Sequence, residues 1–328
     1  MTFHLGFVLK PRRLPPPFIA IGLLALLVAT TLPLEAGWQK PRKPPAQAAR
    51  ATGALKVITG QPGSVVFINN VRHGVTNDKG ELDLPRVRAG SYPVRVRTVG
   101  YVDWNGSATI SASGSRTVKV TQQPTTDAVV LHYQKGDELR GKGKNRDALQ
   151  EYQQALDARP NFPEAHIAAA RSFITLQDFQ GGEKHIQAAL KIVGRTRAEA
   201  QTVLANLRRS QGLVEESIIE YRKALRLAQG NSFEAHIGLA IALNEVAESR
   251  GSARLIDEIA KEYRLGIAQD METEPILYYQ LGEILEKANR NKEAIEAYRN
   301  YVRLDPEGEF ASAAESVIER LKEGNNDR

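Results

Sequence analysis

The stretch Asn145 to Pro160, NRDALQEYQQALDARP, returns at Asn291 to Pro306 as NKEAIEAYRNYVRLDP. The two share the opening Asn, Ala148 with Ala294, Tyr152 with Tyr298, and the closing Pro160 with Pro306. Small, aromatic and proline residues at these spacings mark the second half of a helix-turn-helix repeat of about 34 residues. The alanine lets two helices approach, the tyrosine fills the space between them, and the proline ends the second helix. Working outward, the same landmarks place repeat starts near 129, 163, 198, 233 and 275. Three positions depart from the pattern: Arg208 stands where a large apolar residue is usual, extra residues surround Glu248 to Gly251, and Tyr301 replaces the second small residue.

These landmarks resemble the tetratricopeptide repeat family, which implies five stacked helix pairs over 129–308 forming an all-α superhelix. A final amphipathic helix over 309–328 (Phe310, Ala313, Val317, Leu321) is expected to cap the open end. The resemblance implies a concave wall lined mainly by leading helices, where a protein or peptide partner lies. The residues expected on that wall are Tyr133, Asp137, Arg140, Ile167, Arg171, Thr202, Asn206, Arg209, Ile237, Asn244, Tyr279 and Glu283. Arg140, Arg171 and Arg209 fall on successive repeats and are suited to receiving carboxylates of an extended peptide. The Lys/Asn arrangement by which some family members clamp a carboxy terminus is not reproduced.

Ahead of the repeats and a short linker (122–128), residues 55–121 read as alternating short segments: LKVITG, VVFIN, LDLPRVR, YPVRVRTV, SATIS and RTVKV. Period-two alternation punctuated by Gly and Pro predicts a small all-β sandwich. Gln61-Pro62-Gly63-Ser64, VVFIN, Gly74-Val75-Thr76, Gly90-Ser91-Tyr92 and Gly100-Tyr101 resemble the PEGA family, which implies a non-catalytic envelope domain. Arg86, Arg88, Arg95 and Arg97 alternate with valines; if their two strands pair as a hairpin, four guanidiniums share one sheet face. Such a strip is solvated, matched to an anionic envelope polymer, or docked against the acidic repeats.

The amino-terminal segment (1–36) has Lys10, Arg12 and Arg13 before an apolar run, FIAIGLLALLVATTLPL, from Phe18 to Leu34. This is the pattern of a signal peptide or an uncleaved signal anchor, and the large Leu34 before the candidate cut tips the reading toward the anchor. Residues 37–54 form a Pro/Ala-rich basic linker. The expected location is the cell envelope, with the folded domains in the periplasm.

The net charge of +6 is concentrated at the front: residues 1–50 hold seven basic side chains against Glu35, and the remainder is neutral. Within that remainder, 55–121 carry 9 basic and 4 acidic groups while 122–328 carry 28 and 33. A basic balance so placed describes a targeting segment and one small domain rather than a nucleic-acid surface. With no cysteine, thiolate metal sites, disulfides and cysteine nucleophiles are excluded. His132, His166 and His236 recur at one place on leading helices, which a packing role explains without a metal. Gly136 to Lys142 has the spacing of a phosphate loop but lacks its Ser/Thr and its strand. No acid/base pair or nucleophile set stands out, so the expectation is a scaffold with neither catalysis nor cofactor. A polymer-binding module acting through the arginines is the alternative.

Overall fold

The computed structural model describes residues 52–192, 194, 196–270 and 274–326. The apolar run lies outside these residues, as does the basic linker up to residue 51; the last three linker positions, 52–54, belong instead to the first strand. Among the described residues no helix is long and apolar enough to cross a membrane.

The alternating segments form seven strands: β1 (Thr52–Ile58), β2 (Val65–Ile68), β3 (Val71–Val75), β4 (Glu81–Arg88), β5 (Gly90–Arg97), β6 (Trp104–Ile110) and β7 (Ser115–Lys119). They make two sheets, in the orders β4-β1-β7 and β3-β2-β5-β6, with β1 and β7 parallel and every other pair antiparallel. Alternation puts Leu55, Val57, Val66, Ile68, Val94, Val96 and Ile110 into one aliphatic core between the sheets.

The hairpin expected for the arginine strands does not form. β4 pairs with β1 and β5 pairs with β2 and β6, so they belong to different sheets. Only Ala89 separates them, which is too short for a hairpin loop, and the chain turns a corner from one sheet into the other. Arg86 and Arg88 therefore cannot share a face with Arg95 and Arg97.

The helices follow as five pairs: α1 (Ala128–Gly141) with α2 (Asn145–Ala158), α3 (Pro163–Thr175) with α4 (Phe179–Lys191), α5 (Arg197–Ser210) with α6 (Val214–Leu227), α7 (Phe233–Arg250) with α8 (Ile256–Asp270), and α9 (Ile276–Lys287) with α10 (Asn291–Leu304). The small/aromatic landmarks do what their spacing requires. Tyr152, Tyr221 and Tyr298 are fully buried between helices, and a Cβ on Gly136 or Gly282 would come within 2.5 or 2.8 Å of the Tyr152 or Tyr298 ring. The three departures also have structural causes. Arg208 forks onto Glu183 of α4 (2.6 and 3.0 Å), leaving Leu207 to fill the core. The extra residues lengthen α7 to Arg250 and add the 3-10 turn Ala253–Leu255 after a left-handed Gly251.

Tyr301 is the third. Its ring packs against Tyr279, and its hydroxyl accepts the Phe310 amide (3.1 Å) just before α11 (Ala311–Asn326). The seam of α11 differs from the expected one at three positions and keeps the fourth: Ala311, Ala314 and Ile318 are buried with the expected Leu321, while Ala313 is exposed and Val317 only half-buried. Phe310 lies before the helix, against Tyr279, and this entry resets the helical phase.

Candidate protein-binding surface

Successive leading helices touch directly, α1 with α3, α3 with α5 and α5 with α7, and form one wall of the stack. Polar side chains from several repeats meet along this wall. Arg171 of α3 forks onto Glu234 of α7 (2.6 and 2.7 Å) and reaches Glu199 of α5 at 3.4 Å. Asn206 donates to the same Glu234 (2.7 Å) and accepts the Tyr221 hydroxyl. Burial works against the Glu234 carboxylate, yet Arg171 and Asn206 hold it below the usual carboxylate range. Burial pushes the Tyr221 phenol up to about 12, so it remains a donor.

Each of the three arginines expected to receive a partner's carboxylate already has one from its own chain. Arg140 lies 3.4 Å from Asp137, Arg171 holds Glu234, and Arg209 donates to Glu245 at 3.1 Å. Ile167 and Thr202 are not on the surface at all: both are buried, Ile167 among Ala170, Ile186 and Val203, and the Thr202 hydroxyl bonds the Ala198 carbonyl. The physical reason is the direct packing of leading helix on leading helix, which covers these positions.

Toward the last repeats the wall is more open. Asn244 is half-buried on α7, and Ile237 packs partly into the core. Tyr279 stacks among Tyr298, Tyr301 and Phe310 with centroids at 5.3, 5.5 and 4.8 Å. Glu283 is exposed; partial desolvation raises its pKa, and Glu286 and Glu248 add to the shift while Lys287 opposes it.

At the other end, Tyr133 and Asp137 meet the β-sandwich. Arg97, 8 % exposed, donates to both Asp103 oxygens, to the Tyr133 hydroxyl (3.1 Å) and to Asp137, and its guanidinium lies 4.7 Å over the Tyr133 ring. Gln134, 2 % exposed, pairs its side-chain amide with the backbone of the β5–β6 turn, accepting from Gly100 N–H (3.0 Å) and donating to the Tyr101 carbonyl (2.8 Å). Arg95 lies 4.0 Å over Phe67 and 3.6 Å from Asp103. Arg88 donates to the Ala268 carbonyl of α8 (3.3 Å), and Arg86 is exposed. Arg95 and Arg97 thus share Asp103 on one sheet, Arg86 and Arg88 stand apart on the other, and Arg97 is a docking residue.

The recurring histidines pin leading to second helices. His132 meets Glu151 (2.7 Å), His166 meets His185 (3.0 Å) and His236 meets Glu262; in the third repeat Gln201 meets Glu220 in the same way. The partner stands one residue before the landmark position of each second helix, a periodicity visible in the sequence but missed. Glu234 was missed too, because an acidic residue in the first turn of a helix is explained by the helix dipole alone. Among the described residues no group of three or more His, Asp or Glu is arranged to hold a metal ion.

Residues 52–126 match the PEGA domain family, and 133–195, 167–232 and 276–307 match tetratricopeptide repeat families. No curated protein matches the chain. Among solved structures, PilF of Pseudomonas aeruginosa is 16% identical over 62% of this chain and 86% of its own, with a TM-score of 0.51. PilW, described as a type IV pilus biogenesis factor, is 14% identical over 61% and 93% (TM-score 0.48). YrrB, a repeat protein with a peptide-binding site, is 16% identical over 58% and 92% (TM-score 0.41). At these identities the likeness is one of fold.

Proposed function

From a chain that carries a PEGA domain followed by tetratricopeptide repeats, we infer an adapter that binds a segment of a partner protein along the inner wall of its repeats and is tethered at a membrane. The observation that carries the reading is the wall itself, where leading helices of successive repeats present Tyr, Asn, Arg and Glu side chains side by side. Such a row, its arginines already paired within the chain, offers an extended or helical segment a polar surface at repeat spacing, with the half-buried Asn244 and the exposed Glu283 toward its far end. The apolar run 18–34 supports the tether, and the neutral-to-acidic folded part argues for a protein rather than nucleic acid. Division of the four arginines between two sheets, with Arg95 and Arg97 both against Asp103, breaks up the cationic face that a polymer would need, which favours the adapter over the polymer-binding alternative.

The test is a photo-crosslinking amino acid placed at Asn244 on the wall, or at Ile219, which is 60% exposed on α6, in the full chain in cells. Discrete protein adducts from Asn244 but not from Ile219 are expected. Identical adducts from both positions, or none from Asn244, would sink the adapter reading. Protease accessibility of a carboxy-terminally tagged chain in intact cells, spheroplasts and lysates tests the tether, since protection until lysis contradicts a periplasmic array.

A further inference from the structure

At the contact between the β-sandwich and the first repeat, the charged groups on each side keep a partner of their own. Asp137 is positioned from within the array, its Oδ1 accepting from the Tyr152 hydroxyl (2.8 Å) and from Arg140 (3.4 Å), so only Oδ2 is committed to Arg97. Tyr133 is held by Phe162 and Tyr152, with centroids at 5.1 and 6.1 Å. On the other side Arg97 keeps Asp103 of its own domain through three hydrogen bonds of 3.0 to 3.2 Å. Undocking therefore strands neither a buried arginine nor a buried carboxylate, which is the usual penalty for splitting such a pair.

The apolar contacts point the same way. Among the described residues the core of the sandwich is built from residues 55–120 alone, and the apolar clusters of the helices contain none of them. Among the described residues the contacts that join the two parts include polar ones: Arg97 to Asp137 and Tyr133, Gln134 to the Gly100–Tyr101 turn, and Arg88 to Ala268. The charges are complementary as well, with 9 basic against 4 acidic groups over 55–121 and 28 against 33 over 122–328. A carboxylate beside an aromatic face is a receptor for a planar guanidinium.

We propose that Tyr133 and Asp137 form an arginine-recognition site on the first repeat, occupied in cis by Arg97, and that an arginine of the partner segment takes its place and releases the β-sandwich. This rests on the adapter reading and gives the partner a chemistry: a basic segment with an arginine at the first repeat. Cis occupancy lowers the apparent affinity of such a segment by the fraction of molecules in which the site is closed.

The probe is a fluorescein-labelled glycine-spaced arginine peptide, titrated by anisotropy against the full chain, with a lysine peptide of equal charge as comparison. Arg97→Gln should bind the arginine peptide at least about 10-fold more tightly than the native chain. Asp137→Asn should abolish that gain, and the lysine peptide should bind more weakly. Because the chain has no cysteine, nitroxides on Ser107→Cys and Arg146→Cys report docking directly, and their distance distribution should broaden as the arginine peptide is added. Equal affinities of the native chain and Arg97→Gln overturn the proposal, as does a distribution that the peptide leaves unchanged. Should Arg97→Gln fail to fold, the nitroxide measurement on the otherwise native chain decides alone. A null titration with adducts still forming at Asn244 sinks only the arginine site, whereas absent adducts sink the adapter reading.

Discussion

Arg171 and Glu234 are joined by two hydrogen bonds of 2.6 and 2.7 Å across 63 residues, from the second helix pair to the fourth, passing over α5. In a stack of repeats each unit ordinarily contacts only its neighbours. This pair adds a contact between units two apart and so ties the second helix pair to the fourth through one fork.

Opening that fork should therefore loosen several repeats together. Arg171→Ala is expected to cost about 1–2 kcal/mol, discounted for the partial exposure of Glu234. Urea unfolding of Arg171→Ala, Glu234→Ala and the double variant checks it. Strict additivity would show that the pair contributes no coupling.

Two glycines of α1 should respond to alanine with opposite signs. At Gly136 the added Cβ would come within 2.5 Å of the Tyr152 ring, so overpacking of about 1–3 kcal/mol outweighs the gain in helix propensity. At Gly141 an added Cβ meets nothing within 4 Å, and alanine should stabilise by about 0.5–1 kcal/mol. Thermal melts of the two variants decide, and a shared sign would contradict the packing described.

The His166–His185 contact should make stability fall on acidification. His166 donates Nε2–H to the Pro160 carbonyl, so its Nδ1 accepts from His185 Nδ1–H, and a proton added to His166 Nδ1 sets N–H against N–H. Burial, with His166 and Lys184 nearby, lowers the His185 pKa to about 4. The unfolded chain then binds more protons between pH about 6.5 and 4. Stability is full above that window and is lost as pH falls through it. His185→Gln, which keeps a donor for His166, should flatten the dependence of Tm on pH between 6.5 and 4.5. An unchanged slope would refute this.

Tyr301→Ala should detach the cap. Tyr301 is 2% exposed, packs with Tyr279 and accepts the Phe310 amide, so its loss is expected to cost about 3–5 kcal/mol. Hydrogen exchange should show protection lost over 311–321 before the first repeats are affected. Uniform loss along the array would mean that the cap is not a separate unit.

The seam of α11 and the burial of Ile167 and Thr202 show where pattern reading stopped. A 3.6-residue period says that a helix has an apolar face, but its phase depends on the residue at which the helix begins, and Phe310 lies outside α11. Wall positions were assigned by analogy between repeats, yet leading helices packed on one another cover some of those positions.

The sequence by itself determined the repeat period, the pairing of glycine or alanine with tyrosine, the β-sandwich and its place before the helices. Those features are local: they follow from periods of two and 3.6 and from contacts between adjacent helices. Tertiary structure alone decided that β4 and β5 part company at Ala89, that Arg171 finds Glu234 and that Arg97 reaches Asp137 across 40 residues. A charged side chain looks the same in the sequence whether water or a distant carboxylate satisfies it. Which of the two it meets is set by how separately folded surfaces are brought together.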